Sequence, residues 1–105
     1  MKPNMQNMMK QAQRMKAEME KIQAEAASKR VEGTAGGGMV SITCNGQGEV
    51  VAVKIDPEVA GPEELEMLQD LVMAAANDAL RKSRELMNQE MGRLTGGLGL
   101  PPGLV

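Results

Sequence analysis

The N-terminal segment constrains the fold of this chain more than any other stretch. Between residues 4 and 27 an apolar residue recurs at intervals of three or four, at Met5, Met8, Ala12, Met15, Met19, Ile22 and Ala26. This alternation is the a/d pattern of a heptad repeat, and it predicts one uninterrupted helix of ~35 Å. Isolated helices are marginal in water, so the apolar seam needs a partner. In so short a chain, a second copy is an expected source of that partner.

The composition excludes several classes of function. The 105 residues include no Phe, Tyr, Trp or His and a single cysteine, Cys44. A histidine base, a histidine metal ligand and an aromatic platform for stacking bases are therefore absent, and no nucleophile–base pair can be named. We predict one small domain over 1–105 that is not an enzyme, with no cofactor, no metal and no small-molecule substrate. A lone cysteine favours the reducing cytosol, and no apolar run reaches the ~20 residues of a membrane span.

The charges are distributed unevenly along the chain. The formal net charge is only −2. Residues 1–30 carry seven Lys or Arg against three Glu, whereas residues 31–64 carry one Lys against six acidic residues. The remainder is close to neutral. This asymmetry predicts a basic arm on an acidic body.

Residues 28–56 have the pattern of three short antiparallel strands. A first strand is predicted around 29–32, followed by a turn at Thr34-Ala35-Gly36-Gly37-Gly38. Apolar and polar residues then alternate over 39–44 and again over 49–56, and Asn45-Gly46 between them is a strong hairpin signal. With a four-residue loop at 45–48, Ile42 lies opposite Val51 and Val40 opposite Val53. The resulting sheet has one apolar face that needs cover.

A second long helix is predicted over 62–94. Pro62 in its first turn and the acidic residues after it are typical of a helix start. One apolar stripe runs its whole length, and Leu71, Ala75 and Ala79 add a second apolar flank in the first half only. We therefore expect the first half to be buried by both the sheet and a partner, and the second half to project beside the N-terminal helix. Residues 95–105 are expected to form a tail that is mobile or lies extended on another surface.

Eleven methionines are the most unusual feature of the composition. Six of them lie on the apolar stripes of the two helices, where methionine fills a core that has no aromatic residues. The alternative is an adaptable binding surface, because the flexible thioether side chain adjusts to different partners.

Basic residues follow the polar faces of both helices. Lys10, Arg14 and Lys21 share one stripe opposite the seam, while Arg81 and Arg84 belong to a polar stripe of the second helix with Lys82 beside it. Such residues neutralise DNA phosphates irrespective of base sequence. The alternative is a solvated helix face with Glu–Lys pairs, and composition alone favours this alternative.

The chain resembles the YbaB/EbfC family of bacterial nucleoid-associated proteins. The resemblance covers nearly the whole chain and is carried by GGGMVSITCNGQGEVVAVKIDPE, by EELEMLQDLVMAAANDALRKSRE and by Leu100-Pro101-Pro102-Gly103. It implies an α+β fold with a long N-terminal helix, a three-stranded antiparallel sheet and a long C-terminal helix. It also implies an intertwined homodimer shaped like tweezers, whose protruding helical arms bind double-stranded DNA. Such a protein is cytoplasmic, lies in the nucleoid, alters DNA conformation and affects gene expression.

The resemblance and the helix stripes together assign roles to particular residues. The residues expected to bind DNA are Lys10, Arg14, Lys21, Arg81, Lys82 and Arg84. Those expected at the dimer interface are Val40, Ile42, Val53, Leu68, Leu71, Val72, Ala75 and Ala79. A different class of function stays open: a protein-interaction module that grips a partner helix or peptide with its Met-lined seams and its tail.

Overall fold

The computed structural model describes residues 4–97, with the side chains of 94–97 left out. Helix α1 spans Met5–Ser28, and the strands are β1 (Arg30–Ala35), β2 (Val40–Asn45) and β3 (Val50–Ile55). Two single 3-10 turns, Pro57–Val59 and Pro62–Glu64, lead into helix α2, Leu65–Gly97. The predicted α+β fold with two long helices and a three-stranded antiparallel sheet is confirmed. The molecule is elongated, with extents of 73 × 22 × 16 Å.

Local sequence explains where the helices begin. The side chain of Asn4 accepts a hydrogen bond from the backbone N–H of Gln6 at 2.9 Å, which satisfies one of the unpaired donors at the start of α1. Pro62 opens the turn that precedes α2, and acidic residues follow it near the positive end of the helix dipole. Helix α2 continues through Thr95, Gly96 and Gly97, three residues beyond the predicted end. The tail prediction otherwise concerns residues 98–105, which lie outside the described residues.

Strand β1 is longer than predicted because the turn that follows it begins only at Gly36 and runs to Met39. Gly36, Gly37 and Gly38 have φ values of 63°, 68° and 94°, a region that residues with a Cβ rarely adopt. The strand can therefore pair with β2 as far as Ala35, which lies opposite Val40.

The predicted register between β2 and β3 is wrong by two residues. Ile42 lies opposite Val53, and Val40 lies opposite Ile55. The first cause is a loop one residue shorter than expected. The backbone N–H of Asn45 donates to the carbonyl of Glu49 at 2.9 Å, and Gly48 takes the positive φ of 80° that closes this tight turn.

The second cause is a β-bulge. Cys44 lies opposite Val50 and Thr43 opposite Ala52, so Val51 has no partner residue. Without this extra residue, every later side chain of β3 would point to the other face and Lys54 would replace Ile55 on the inner one. The bulge thus keeps the apolar residues of β3 on the face that carries the core.

The core lies between the sheet and the first half of α2. Val40, Ile42 and Cys44 of β2 are buried against Ala75 and Ala79 of α2. The helix reaches the sheet most closely at Gly33 of β1. A Cβ atom there would lie 2.3 Å from the carbonyl oxygen of Ala75 and from the backbone nitrogen of Ala79. A glycine opposite two alanines therefore sets the distance between helix and sheet.

Strand β3 remains outside this core. Helix α2 packs mainly on β1 and β2, and all six residues of β3 are exposed. Val53 and Ile55 face the same side as the core but are still 52% and 40% exposed. One helix is ~10 Å wide and strands lie ~4.8 Å apart, so α2 covers two strands of the three.

Candidate nucleic-acid interface

Most of α1 projects from the body as an arm, residues 5–21. Every residue of this arm is exposed, and burial begins at Ile22 and is complete at Ala26. The hairpin turn between β2 and β3 anchors the last turns of the helix. The N–H of Gly46 donates to the carbonyl of Ala26 at 2.8 Å, and the side-chain amide of Gln47 donates to the carbonyl of Gln23 at 2.9 Å. The anchor therefore involves α1 from Ile22 onward and leaves the arm free.

An ion-pair cluster around the buried carboxylate of Glu90 fastens the same end of α1 to α2. The Glu90 carboxylate, with a side chain only 3% exposed, accepts hydrogen bonds from Lys29 and from Arg93, the latter at 2.6 Å. Arg93 also lies 3.4 Å from the carboxylate of Glu25 on α1. The hydrogen bond from Lys29 lowers the pKa of Glu90, and the positive charges of Lys29 and Arg93 add to that shift against the opposing effect of burial. We call Glu25, Lys29, Glu90 and Arg93 the clamp.

The predicted basic stripe of the arm is present and uncompensated. Lys10, Arg14 and Lys21 are exposed on the face of α1 opposite the seam. With the rest of residues 4–97 none of the three forms an ion pair or a side-chain hydrogen bond. Within residues 4–97, no ion pair therefore competes with an anionic ligand for these three cations.

Two of the three predicted basic residues of α2 are paired with acidic or carbonyl groups of the same chain. Arg81 pairs with Asp78 at 2.7 Å and with Glu85 at 2.9 Å. Lys82 donates to the carbonyl of Glu32 at 2.8 Å and lies 3.3 Å from Asp78. The hydrogen bond from Arg81 is the main cause of the lowered pKa of Asp78. Both cations are therefore locally neutralised.

Arg84 is exposed and lies elsewhere, beside the turn that anchors α1. It lines a groove together with Gly46, Gln47, Gly48, Leu80, Ser83 and Met87. Ser83 is buried there and donates from its hydroxyl to the carbonyl of Asn45 at 2.7 Å. The predicted DNA-binding residues thus lie in two places, three on the arm and three on the body, and the arm carries the more available charge.

The residues expected at the dimer interface differ in how far their own chain buries them. Val40, Ile42, Ala75 and Ala79 are covered within a single chain. Leu68, Leu71 and Val72 are half-buried, and Val53 is exposed. Sequence analysis missed further apolar residues that the fold leaves exposed: Val50, Val51, Ile55, Leu65 and Met73. The exposed residues of β3 could have been predicted from geometry, because one helix is too narrow to cover three strands.

A charged helical arm thus projects from a small α+β body. No helix within residues 4–97 combines the length and apolar character needed to cross a membrane. The model of the YbaB/EbfC DNA-binding family matches residues 1–98. The chain therefore belongs to this DNA-binding family, as its sequence motifs predict.

Close relatives of the chain bear a common name. A nucleoid-associated protein of Bacillus thuringiensis is 56% identical over 101 residues, which cover 96% of this chain and 93% of that one. A nucleoid-associated protein of Alkaliphilus metalliredigens is 52% identical over 99 residues, covering 94% and 87%. The crystal structure of an uncharacterized protein from Helicobacter pylori superposes with a TM-score of 0.76 at 26% identity, covering 92% of this chain and 98% of that one.

Proposed function

We propose that this chain is a non-enzymatic nucleoid-associated protein that binds double-stranded DNA as a homodimer through the α1 arm. The observation that carries the proposal is the stripe of Lys10, Arg14 and Lys21, three uncompensated cations on a helix that leaves the body. Membership of a DNA-binding family supplies the ligand class. The protein then acts in the cytoplasm at the nucleoid, where it alters DNA conformation and affects gene expression.

The charge distribution dictates how such binding works. Three cations aligned along a helix suit contacts to phosphates, which fix position on the duplex without reading its sequence. The body repels the duplex, since residues 31–64 carry six acidic residues and one Lys. Contact is thereby restricted to the arm, and base-sequence preference is weak.

The homodimer is supported by the apolar surface that α2 leaves uncovered. Val50, Val53 and Ile55 are exposed on β3, and Leu65 and Met73 are exposed on α2. Several large apolar residues left exposed on a small protein favour an interaction site. We propose that a second copy covers them with the same surface, so that Val53, Leu68, Leu71 and Val72 lie at the interface. The buried residues Val40, Ile42, Ala75 and Ala79 then support the interface from within each subunit.

Salt-titrated fluorescence anisotropy with duplex DNA, single-stranded DNA and RNA tests the DNA-binding proposal. Duplex affinity should fall steeply with salt, with a slope of about 0.9 per phosphate contact. The triple variant Lys10→Glu/Arg14→Glu/Lys21→Glu should keep its helicity and dimer mass while losing affinity and salt slope.

Single substitutions on the arm provide a matched control. Arg14→Glu lies on the stripe, whereas Lys16→Glu makes the same change of charge on another face of the same exposed arm. We expect Arg14→Glu to weaken duplex binding more. Parental duplex affinity in the triple variant would show that the stripe is only a solvated helix face.

A protein-interaction module is the second candidate, favoured by the exposed methionines of the arm. Met5 and Met8 are 75% and 57% exposed. Such a surface can hold an apolar helix or peptide. A pull-down before and after nuclease treatment separates the two functions, because only protein partners survive the loss of DNA.

A further inference from the structure

The apolar seam of α1 is covered at one end only. Ile22 and Ala26, near the C-terminal end of the helix, are 4% and 0% exposed. Toward the N-terminus the seam continues into the arm, where every one of its residues is exposed among residues 4–97. We call this exposed part of the seam the arm seam: Met5, Met8, Ala12, Met15 and Met19.

The spacing of the arm seam indicates what kind of partner fits it. Its residues follow one another at alternating intervals of three and four, the a/d pattern in which each side chain inserts between four side chains of a facing helix. A second copy of the arm presents the same pattern. An extended peptide does not, because its side chains alternate with a period of two.

The charges beside the arm seam allow two arms to meet. With Met5 at an a position, the flanking e and g positions of the arm hold Met9, Gln11, Lys16 and Glu18. If two fully overlapping arms are antiparallel, Lys16 faces Met9 of the other copy and Glu18 faces Gln11. If they are parallel, Lys16 faces Gln11. Neither orientation places two like charges of the arms opposite each other.

The basic stripe lies as far from the arm seam as the helix allows. Lys10 occupies an f position, and Arg14 and Lys21 occupy c positions. Two arms that meet seam to seam therefore present their stripes in opposite directions. Because each helix is ~10 Å wide, the two stripes lie ~20 Å apart on the outside of the pair. One duplex cannot contact both stripes, whereas two duplexes can contact one stripe each.

We propose that the arms of two copies pair through their arm seams and that the paired arms bridge two segments of duplex DNA. The pairing stands on the arm seam itself, and the bridging rests on the proposed DNA binding. The two arms of a pair belong to different homodimers, because each homodimer directs its stripes toward its own duplex. The arm seam thus has a partner of the same sequence, and the stripe remains free for phosphates.

The strength of this pairing depends on how many arms act together. Short helices are marginal in water, so a single pair of arms associates weakly. Many copies along two neighbouring duplexes present many arms at once, and such multivalency strengthens an association by ~10²–10⁴-fold without any new contact. Bridging is therefore cooperative in the amount of protein on the DNA.

Cross-linking between copies tests the pairing without DNA. In a Cys44→Ala background, Ala12→Cys places a thiol in the arm seam, and Ala17→Cys places one on another face of the same exposed arm. A short bis-maleimide at high protein concentration should link copies through position 12 severalfold faster than through position 17, after correction for the rate of each thiol with N-ethylmaleimide. Equal corrected rates would leave the arm seam to a partner of another sequence and overturn the proposal.

A bead assay tests the bridging. One duplex is fixed on beads and covered with the protein, and the retention of a second, fluorescent duplex is measured. Anisotropy with one duplex measures simple binding in parallel. Met8→Gln/Met15→Gln makes the arm seam polar and leaves the stripe unchanged. This variant should bind one duplex like the parent and retain the second duplex ~10-fold less, because the multivalent contact between arms is lost.

The two readouts separate this proposal from the proposed function. A parent that binds one duplex and does not retain a second would overturn the bridging and leave the DNA-binding proposal intact. Equal retention by the parent and by Met8→Gln/Met15→Gln would overturn the role of the arm seam, since each homodimer would then hold two duplexes with its own two arms. A parent that binds no duplex would overturn the DNA-binding proposal and the bridging together.

Discussion

Gly33 is the residue at which helix α2 comes closest to the sheet. A methyl group there would lie 2.3 Å from two backbone atoms of α2, which cannot move aside as a flexible side chain would. We expect Gly33→Ala to lower the free energy of unfolding by about 1–3 kcal/mol or more, since the helix must shift away from β1. Urea denaturation followed by circular dichroism measures this change.

The matched control for this prediction is Gly92→Ala. Gly92 lies in α2, and nothing within 4 Å would meet a Cβ atom there. Alanine has the higher helix propensity, so this substitution should stabilise the protein by up to ~1 kcal/mol. Equal effects of the two substitutions would contradict the steric explanation for Gly33.

We expect Glu90 to make the docking of α1 dependent on pH. The hydrogen bond from Lys29 lowers its pKa below the ordinary value of 4.5. A lowered carboxylate pKa stabilises the folded state above that ordinary value, and the stabilisation is lost as pH falls through the lowered pKa. We therefore expect Glu90→Gln to unfold at a lower temperature than the parent at pH 7, with the difference shrinking as pH falls below about 4.5.

Thermal unfolding followed by circular dichroism between pH 7 and pH 3 gives this comparison. Lys29→Gln removes the first donor to Glu90 and should weaken the same pH dependence while Arg93 retains part of it. A constant difference between Glu90→Gln and the parent at every pH would show that the charge of Glu90 does not hold the two helices together.

At the scale of elements, a substitution on the uncovered strand β3 can distinguish an effect on dimerisation from an effect on folding. Val53 is 52% exposed and lies on the inner face, so Val53→Glu should leave the monomer folded. In the proposed dimer the same carboxylate would be buried without a partner, a cost of several kcal/mol. We expect Val53→Glu to remain folded by circular dichroism and to become monomeric by light scattering.

Ala52→Glu is the control for that prediction. Ala52 is the preceding residue of β3, is exposed, and lies opposite Thr43 on the outer face of the sheet. The same substitution there should preserve the dimer. A dimeric Val53→Glu variant would exclude the exposed inner face of β3 as the interface.

Sequence periodicity predicted the elements well and their contacts less well. The heptad of α1 and the stripe of α2 are local patterns, and both helices form. The register of β3 was not predictable, since it depends on a bulge at Val51 that is useful only once the inner face packs against a core. The clamp was missed because Lys29 and Glu90 are 61 residues apart in sequence.

In the candidate site, too, the features that depend on local spacing were predictable and those that depend on distant contacts were not. The arm stripe of Lys10, Arg14 and Lys21 follows from helical spacing alone. The pairing of Arg81 with Asp78 and Glu85 was also visible at spacings of three and four residues, which weakens its candidacy for DNA. Periodicity shows that Ala75 and Ala79 are buried, but it does not show whether their own chain or a second copy covers them.

At the scale of the whole molecule, a small rotation at the anchored end of the arm produces a large displacement at its tip. The arm is anchored only from Ile22 onward, by the hairpin turn and the clamp, while its basic residues extend up to ~18 Å from that anchor. A tilt of ~10° at the anchor moves the tip of the ~25 Å arm by ~4 Å, a third of the ~12 Å width of a DNA major groove. In the proposed dimer, a stiff anchor would hold the two arms at a fixed separation, so that they would select a duplex by its dimensions, whereas a loose anchor would let the arms follow any duplex they met.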